Sequence, residues 1–238
     1  MFKKTLALAI AAGLLFSAAA QANEADVKKA VEGILGKNAK IDSVKKSGVL
    51  GLYEVVVGGE IAYVDEKANY LIFGNIIDVK AKKDLTEERK LKLAQIKFSD
   101  LPLDLAIKQV KGNGKRVIAT FEDPNCGYCK KLAKELVGMT DVTIYTFLYP
   151  IHSPDSLEKS KAIWCAADKA KAWNDWMVNN SAPAAGKCDA SAVDKTVAYG
   201  QKLNIRGTPT IFFSDGNRTP GYMPVAQLEN AIAAASGK

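Results

Sequence analysis

The chain has 238 residues, which suits one large domain or two smaller ones with a substantial hydrophobic core. Its formal charge of +7 comes from 33 basic and 26 acidic residues, and almost all of the cations are lysines. Nucleic-acid recognition favours clustered arginines with interleaved aromatic residues, whereas the arginines here are scattered at positions 89, 116, 206 and 218. We therefore expect a solvated basic surface and no nucleic-acid partner.

Residues 1–22 have the pattern of a secretory signal peptide. Two lysines precede an apolar run from Leu6 to Phe16, and small residues end in Ala20-Gln21-Ala22. We expect cleavage before Asn23, so that all four cysteines belong to an exported chain in which disulfides persist. No later run reaches the roughly 18 consecutive apolar residues of a transmembrane helix, so no membrane insertion is expected.

Residues 23–83 predict a small α+β domain. Asn23 can cap an amphipathic helix that ends at Gly36. Strand-like runs separated by turn residues follow, at 50–57, 60–64, 70–73 and 76–79, with hairpin turns at 58–59, 65–67 and 74–75. A core of this size is marginal and a sheet needs its edges covered, so we expect the domain to pair with a copy of itself.

Residues 84–100 predict a linker helix. Asp84 can cap it, and Glu88 and Lys92 form an i,i+4 pair in the favourable order. Its apolar stripe is thin, so we expect a mostly solvated helix that acts as a stiff spacer.

Residues 101–238 predict a second domain of the α/β class. Apolar strand patterns alternate with helical patterns, giving a β-α-β half and a β-β-α half with further helices between them. One helical pattern ends at Gly138, and three more cover 156–179, 190–203 and 225–234. The main strand patterns lie at 116–121, 142–148 and 211–213.

The motif Cys126-Gly127-Tyr128-Cys129 follows the first of these strands and opens a helix. Asp123-Pro124 breaks the strand, and Asn125 can serve as the helix N-cap. Unpaired N–H groups and the helix dipole should stabilise a Cys126 thiolate and lower its pKa. Cys126 is therefore the expected attacking thiol, and Cys129, one turn further in, the resolving one.

The same motif can also bind zinc or form a purely structural bridge. A tetrahedral zinc site needs four N or S ligands, and one Cys-x-x-Cys pair with a single histidine is a poor set, so we expect no metal. A purely structural bridge remains an alternative, which the electropositive helix start disfavours. Cys165 and Cys188 have no activating surroundings, and we expect them to form a structural disulfide.

The chain resembles the DsbC/DsbG group of periplasmic thiol:disulfide interchange proteins in the thioredoxin superfamily, and its DsbC branch most. The likeness covers essentially the whole mature chain. The motifs that carry it are Cys126-Gly127-Tyr128-Cys129, Ala162-Ile163-Trp164-Cys165-Ala166 with Cys188, Gly207-Thr208-Pro209 and Pro220-Gly221-Tyr222.

The resemblance implies a fold and partners. The N-terminal domain would be a cystatin-like dimerisation domain, and the C-terminal one a thioredoxin-like domain with a helical insertion. It implies a V-shaped periplasmic homodimer, no cofactor, and reduction by a membrane electron donor of the DsbD type. Pro209 would be a cis proline beside the active site, Thr208 would contact substrate, and Gly127 and Tyr128 would support the cysteines.

The proton acceptor for Cys129 is the point at which the sequence departs from thioredoxins. Those proteins carry a buried acid six residues before the first cysteine, where this chain has Thr120. We expect Glu122 and Asp123 to be solvated, which leaves the acceptor open. His152 is a candidate for shifting the redox poise.

The function expected is a dimeric disulfide isomerase and reductase acting on misoxidised secreted proteins. The alternative is a DsbG-like reductase of sulfenylated cysteines with chaperone activity. A binding module that only holds unfolded chains and a monomeric dithiol oxidase are further possibilities.

Overall fold

The computed structural model describes residues 23–36, 39–184 and 186–237, and the expected signal peptide lies outside them. The chain divides into two compact units at the junction of Gly74 and Asn75.

The N-terminal unit opens with helix α1 (Glu24–Leu35). Asn23 caps it as expected: its Oδ1 accepts the N–H groups of Ala25 at 2.9 Å and Asp26 at 3.0 Å. The helix buries Val27 and Val31, four residues apart on one face, against the sheet that follows.

That sheet is antiparallel, with its four strands in chain order: β1 (Ile41–Lys46), β2 (Tyr53–Val57), β3 (Glu60–Val64) and β4 (Leu71–Phe73). Strand β1 was not predicted, because its polar and lysine-rich face hides the apolar positions Ile41 and Val44. The hairpin turn expected at residues 74–75 is wrong: β4 pairs only with β3, and the next strand belongs to the second unit.

The second unit begins with a two-stranded ribbon, β5 (Ile77–Asp78) and β6 (Lys83–Asp84), and helix α2 (Leu85–Leu93). Asp84 caps α2 as expected, accepting the N–H of Glu87 at 2.9 Å. The helix is shorter than the predicted 84–100. Beyond it the chain is held by the unit's own hairpin, since Ile96 N–H donates to Gly216 O at 3.2 Å.

The central sheet of this unit has five strands in the order β11, β10, β8, β9, β7. In the chain these are β7 (Ile107–Lys111), β8 (Arg116–Glu122), β9 (Val142–Leu148), β10 (Thr210–Phe213) and β11 (Arg218–Pro220). Only β8 and β9 are parallel, joined through helix α3 (Gly127–Val137), whereas β10, β11 and helix α7 (Val225–Ser236) form the second half. The predicted β-α-β and β-β-α architecture is confirmed.

Between the halves lie α4 (Pro154–Trp164), α5 (Lys169–Asn179) and α6 (Ser191–Lys202). The single helix expected over 156–179 is wrong, because Asp168 caps a new helix by accepting the N–H of Lys171 at 2.9 Å. Near the break, Cys165 is disulfide-bonded to Cys188 with their Cα atoms 5.4 Å apart.

The two faces of β8 pack against different helices. Ile118 shares a core with residues of α3 and α7, while Ala119 and Phe121 share one with residues of α6. Because side chains alternate along a strand, Thr120 and Glu122 point to the α3 side together with Ile118. Thr120 and Glu122 therefore lie on the face of the sheet covered by α3, the helix that carries Cys129.

Candidate active site

Cys126 is itself the N-cap of α3. Its backbone is extended (φ −76°, ψ 119°), and its Sγ accepts the N–H of Cys129 at 3.4 Å. The prediction that Asn125 caps this helix is wrong. The Asn125 amide instead donates to Asp155 Oδ2 at 2.7 Å, outside the helix.

The two thiols are strongly asymmetric. Hydrogen bonding from the Cys129 thiol, then from the Thr208 side chain and the N–H groups at the helix start, lowers the pKa of Cys126 to about 5, although burial opposes the shift. Burial above all, together with the neighbouring Cys126 and Glu122 charges, raises the pKa of Cys129. At neutral pH the outer sulfur is a thiolate and the inner one a thiol.

Glu122 is a buried acid beneath this motif, and the expectation that it is solvated is wrong. Strand β8 extends one residue further than predicted, pairs Glu122 with Leu148, and turns its side chain inward with no exposed surface. Thr120 Oγ1 donates to its Oε1 at 2.7 Å, and Oε2 has no hydrogen-bond partner among the described residues. Burial chiefly, with a contribution from the Cys126 charge, raises the pKa of Glu122 to about 8.

Asp123 is also fully buried, against expectation. Its carboxylate accepts the N–H groups of Asn125 at 2.7 Å, Ile151 at 2.7 Å and His152 at 3.0 Å, and the Ser156 hydroxyl at 2.8 Å. These four bonds tie the turn before Cys126 to the loop before α4 and to the first turn of that helix. Asp123 therefore holds the motif in place.

The Thr208–Pro209 segment lies beside the first cysteine, as the resemblance implied. The peptide bond is cis, and Cys126 Sγ is 3.3 Å from the Thr208 carbonyl oxygen. His152 reaches the same place, with its Nε2 3.0 Å from Thr208 Oγ1. The structure thus brings Cys126, Cys129, Thr208, Pro209 and His152 together.

The outer rim of the site is aromatic and basic. Gly127 is exposed, and Tyr128 is 65% exposed with its ring centroid 6.3 Å from that of Tyr222, over which the Lys131 ammonium lies at 4.3 Å. Trp176 donates its Nε1–H to the Pro124 carbonyl at 2.6 Å.

The sequence patterns do not single out Trp176 or Ser156, and they predict a solvated Glu122. Inward alternation of Ile118, Thr120 and Glu122 along one strand is the signal that could have found the buried acid.

The described residues contain no cluster of three or more His, Cys, Asp or Glu side chains able to hold a metal ion. No helix in the described part of the chain is both long and apolar enough to cross a bilayer.

Comparison with known proteins identifies both units. A family model described as a disulfide bond isomerase protein N-terminal domain matches residues 18–87, and a thioredoxin-like domain model matches residues 103–236. The thiol:disulfide interchange protein DsbC of Escherichia coli K12 is 31% identical over 222 residues, covering 91% of this chain and 90% of that protein. This chain belongs to the DsbC family.

Other members of the family are more similar over a shorter span. The probable DsbC of Bordetella pertussis is 52% identical over 179 residues, 75% of this chain, and the match spans 64% of that protein's length. A disulfide interchange protein from Neisseria gonorrhoeae, known from its crystal structure, is 44% identical. That structure covers 57% of this DsbC-family chain and 99% of its own, with a TM-score of 0.55.

Proposed function

We propose that this DsbC-family chain is a periplasmic protein disulfide isomerase and reductase that works as a homodimer. The observation that carries the proposal is the cysteine pair at the start of α3. Cys126 caps the helix with its Sγ accepting the Cys129 N–H, and the pKa of Cys126 is lowered while that of Cys129 is raised. A nucleophile that is ionised at neutral pH, beside a thiol that is not, suits thiol–disulfide exchange.

In the proposed reaction the Cys126 thiolate attacks one sulfur of a wrong disulfide in a secreted protein. The substrate S–S bond breaks, a mixed disulfide to Cys126 forms, and the other substrate sulfur leaves as a thiolate. A second substrate thiolate can then displace Cys126, which rearranges the disulfide without net oxidation. Alternatively Cys129 displaces the substrate, which reduces it and oxidises the enzyme.

The reductive branch needs a base for Cys129. We assign that role to Glu122, which is fully buried on the side of the sheet that α3 covers and whose ionisation interacts with that of Cys129. Glu122 takes the thiol proton as the Cys129 sulfur attacks the mixed disulfide. With a pKa of about 8 it is mainly protonated at neutral pH, and its minor carboxylate form is the one that accepts the Cys129 proton.

The remaining parts of the proposal rest on family membership. The match of residues 18–87 to an isomerase N-terminal domain supports dimerisation through residues 23–83, with 84–100 as the spacer and 101–238 as the catalytic domain. The signal-peptide pattern of residues 1–22 supports a periplasmic location. A membrane donor of the DsbD type would keep the thiols reduced.

The decisive experiment is repair of scrambled ribonuclease by the reduced protein. We expect recovery of ribonuclease activity, its loss in Cys126→Ala, and accumulation of mixed disulfide in Cys129→Ala. Unrepaired ribonuclease with the wild-type protein would refute the proposal. Refolding assistance that survives Cys126→Ala unchanged would identify a binding module instead.

The alternative, a reductase of sulfenylated cysteines, would use the same Cys126 thiolate. The isomerase is favoured because the N-terminal family model carries the isomerase description. Relative rates on a sulfenylated and a scrambled substrate separate the two.

A further inference from the structure

Three buried side chains form a line of hydrogen bonds away from the active site. Thr120 and Thr146 are direct partners in the parallel pairing of β8 and β9, and both are almost completely buried. Thr120 Oγ1 is 2.7 Å from Glu122 Oε1 and 3.4 Å from Thr146 Oγ1. The line therefore runs across two strands on the sheet face covered by α3.

Thr146 also lines a cavity of about 350 Å³ between α3, α5, β7 and β9. The cavity reaches the surface at Val137, which is 57% exposed, and its polar lining includes the amides of Gln109 and Asn174, which are joined by a 2.9 Å hydrogen bond. These groups and the Thr146 hydroxyl give water molecules the several polar partners that they need in a protein interior.

Glu122 needs a route for its proton. Its carboxyl is completely buried, and its second oxygen has no partner in the part of the chain that the structure describes. During resolution a substrate is covalently attached at Cys126, which occupies the outer side of the site. A proton taken from Cys129 must therefore leave by another way before the acid can act again.

We propose that the hydroxyls of Thr120 and Thr146 relay protons between Glu122 and the water-accessible cavity between α3 and α5. This inference rests on the proposed function of Glu122 as the acceptor for Cys129. Protonated Glu122 passes its proton to Thr120 Oγ1 while Thr120 passes its own hydroxyl proton to Thr146 Oγ1. Thr146 in turn passes its proton to a cavity water, which leaves a Glu122 carboxylate and a hydrated proton and transfers no electrons.

A purely structural role for the two threonines is the competing explanation, since paired hydroxyls satisfy each other inside a sheet. The two explanations differ in kinetics. A relay sets how fast the Glu122 proton exchanges with solvent, whereas a structural pair affects only stability and the equilibrium pKa.

The test is infrared detection of hydrogen–deuterium exchange at the Glu122 carboxyl in the reduced full-length protein at neutral pH. The carbonyl band is assigned by its absence in Glu122→Gln. We expect Thr146→Val to slow exchange by about 10-fold or more with little change in the pKa of Glu122, and Thr146→Ser to restore the rate. Thr120→Val should slow exchange and also raise that pKa, because its hydroxyl stabilises the carboxylate.

Thr143→Val is the matched control, a buried threonine of β9 whose hydroxyl donates to Gly114 O at 2.8 Å, away from the relay. Its exchange should match wild type. An equal slowing there would overturn the relay, because a threonine outside the line of hydrogen bonds would then affect exchange as much as Thr146 does. An exchange rate in Thr146→Val equal to that of wild type would overturn the relay directly. Normal mixed-disulfide resolution in Glu122→Gln would instead refute the acceptor role in the proposed function, a separate outcome.

Discussion

The imidazole Nε2 of His152 lies 3.0 Å from the hydroxyl oxygen of Thr208, and the carbonyl oxygen of that same threonine lies 3.3 Å from Cys126 Sγ. His152 is fixed from its own backbone as well, since its N–H donates to Asp123 Oδ2 at 3.0 Å. One exposed side chain thus connects the loop before α4 to the segment that faces Cys126 Sγ. This contact makes His152 a positioning residue for Thr208.

His152→Ala should weaken substrate binding more than chemistry. The substitution removes the imidazole contact but keeps the backbone bond to Asp123, so Thr208 becomes less ordered while Cys126 keeps its helix position. We expect a several-fold rise in KM for a peptide disulfide with kcat little changed, because one lost hydrogen bond is worth about 1 kcal/mol. His152→Gln, which keeps a group able to bond the hydroxyl, should recover most of the affinity. A fall in kcat with unchanged KM would contradict this assignment.

The reactivity of Cys126 should follow its lowered pKa. Alkylation of the reduced protein is expected to rise through a midpoint near pH 5 and to stay high at neutral pH. The stability of the reduced fold should also rise with pH. The folded-state pKa lies below the unfolded value, so the thiolate stabilises the reduced fold above the unfolded pKa, and this stabilisation is lost as pH falls toward 5.

Thermal unfolding of reduced wild type and of Cys126→Ala, compared from pH 4 to pH 9, checks this linkage. The difference between the two proteins should grow with pH. An alkylation midpoint near that of free cysteine would remove the basis of the proposed catalysis.

Glu122→Gln should make the protein more stable and less active. The folded-state pKa of Glu122 is about 8 against an ordinary value of 4.5, so the buried carboxyl destabilises the fold progressively as pH rises between those values. At pH 7 the substitution should add about 3 kcal/mol to the free energy of unfolding, and little below pH 4. Resolution of a Cys126 mixed disulfide by Cys129 should slow by about 10-fold or more.

Denaturant unfolding at pH 4 and pH 7 measures the change in stability. Single-turnover release of a peptide thiol bound to Cys126 measures the rate of resolution. Asp123→Asn is the contrasting variant, because Asp123 accepts four hydrogen bonds and its loss should destabilise the protein. Equal stability of wild type and Glu122→Gln at pH 7 would show that burial of the Glu122 carboxyl does not destabilise the fold.

These two neighbouring acids also show how far sequence patterns reach. The strand, the turn and the position of Cys126 at a helix start follow from local composition, and the structure agrees with them. The burial of Glu122 and Asp123 depends on one further residue of strand pairing and on partners about 30 positions away, such as Ser156. Charge alone predicts exposure for both. Strand pairing overrides that expectation at Glu122, and tertiary hydrogen bonding overrides it at Asp123.

The cap of α3 was mispredicted for a related reason. Asparagine is a better N-cap than cysteine on average, but Asp155 and Ser153 accept the amide of Asn125 and leave the cap position to Cys126. The break between α4 and α5 was missed because the apolar spacing continues across it, and only the Asp168 cap marks the new helix. Such competition among partners is decided by contacts that are distant in the chain.

Gly216→Ala should release the segment that follows α2 from the β10–β11 hairpin. Gly216 has a φ of +82°, and a Cβ placed on it would lie 1.6 Å from the carbonyl oxygen of Ile96, whose N–H donates to the Gly216 carbonyl at 3.2 Å. Both the strained backbone and the clash oppose the substitution. We therefore expect the free energy of unfolding to fall by about 2 kcal/mol or more, and hydrogen exchange at the Ile96 N–H to become faster.

Gly138→Ala is the matched substitution in the same unit, because its φ is −79° and the new Cβ would meet only the Glu135 carbonyl oxygen at 3.9 Å. It should leave both stability and Ile96 exchange close to wild type. If Gly216→Ala releases the segment as expected, ribonuclease repair should fall while alkylation of Cys126 is unchanged, because the site itself keeps its contacts. Unchanged Ile96 exchange in Gly216→Ala would show that the hairpin does not hold this part of the chain.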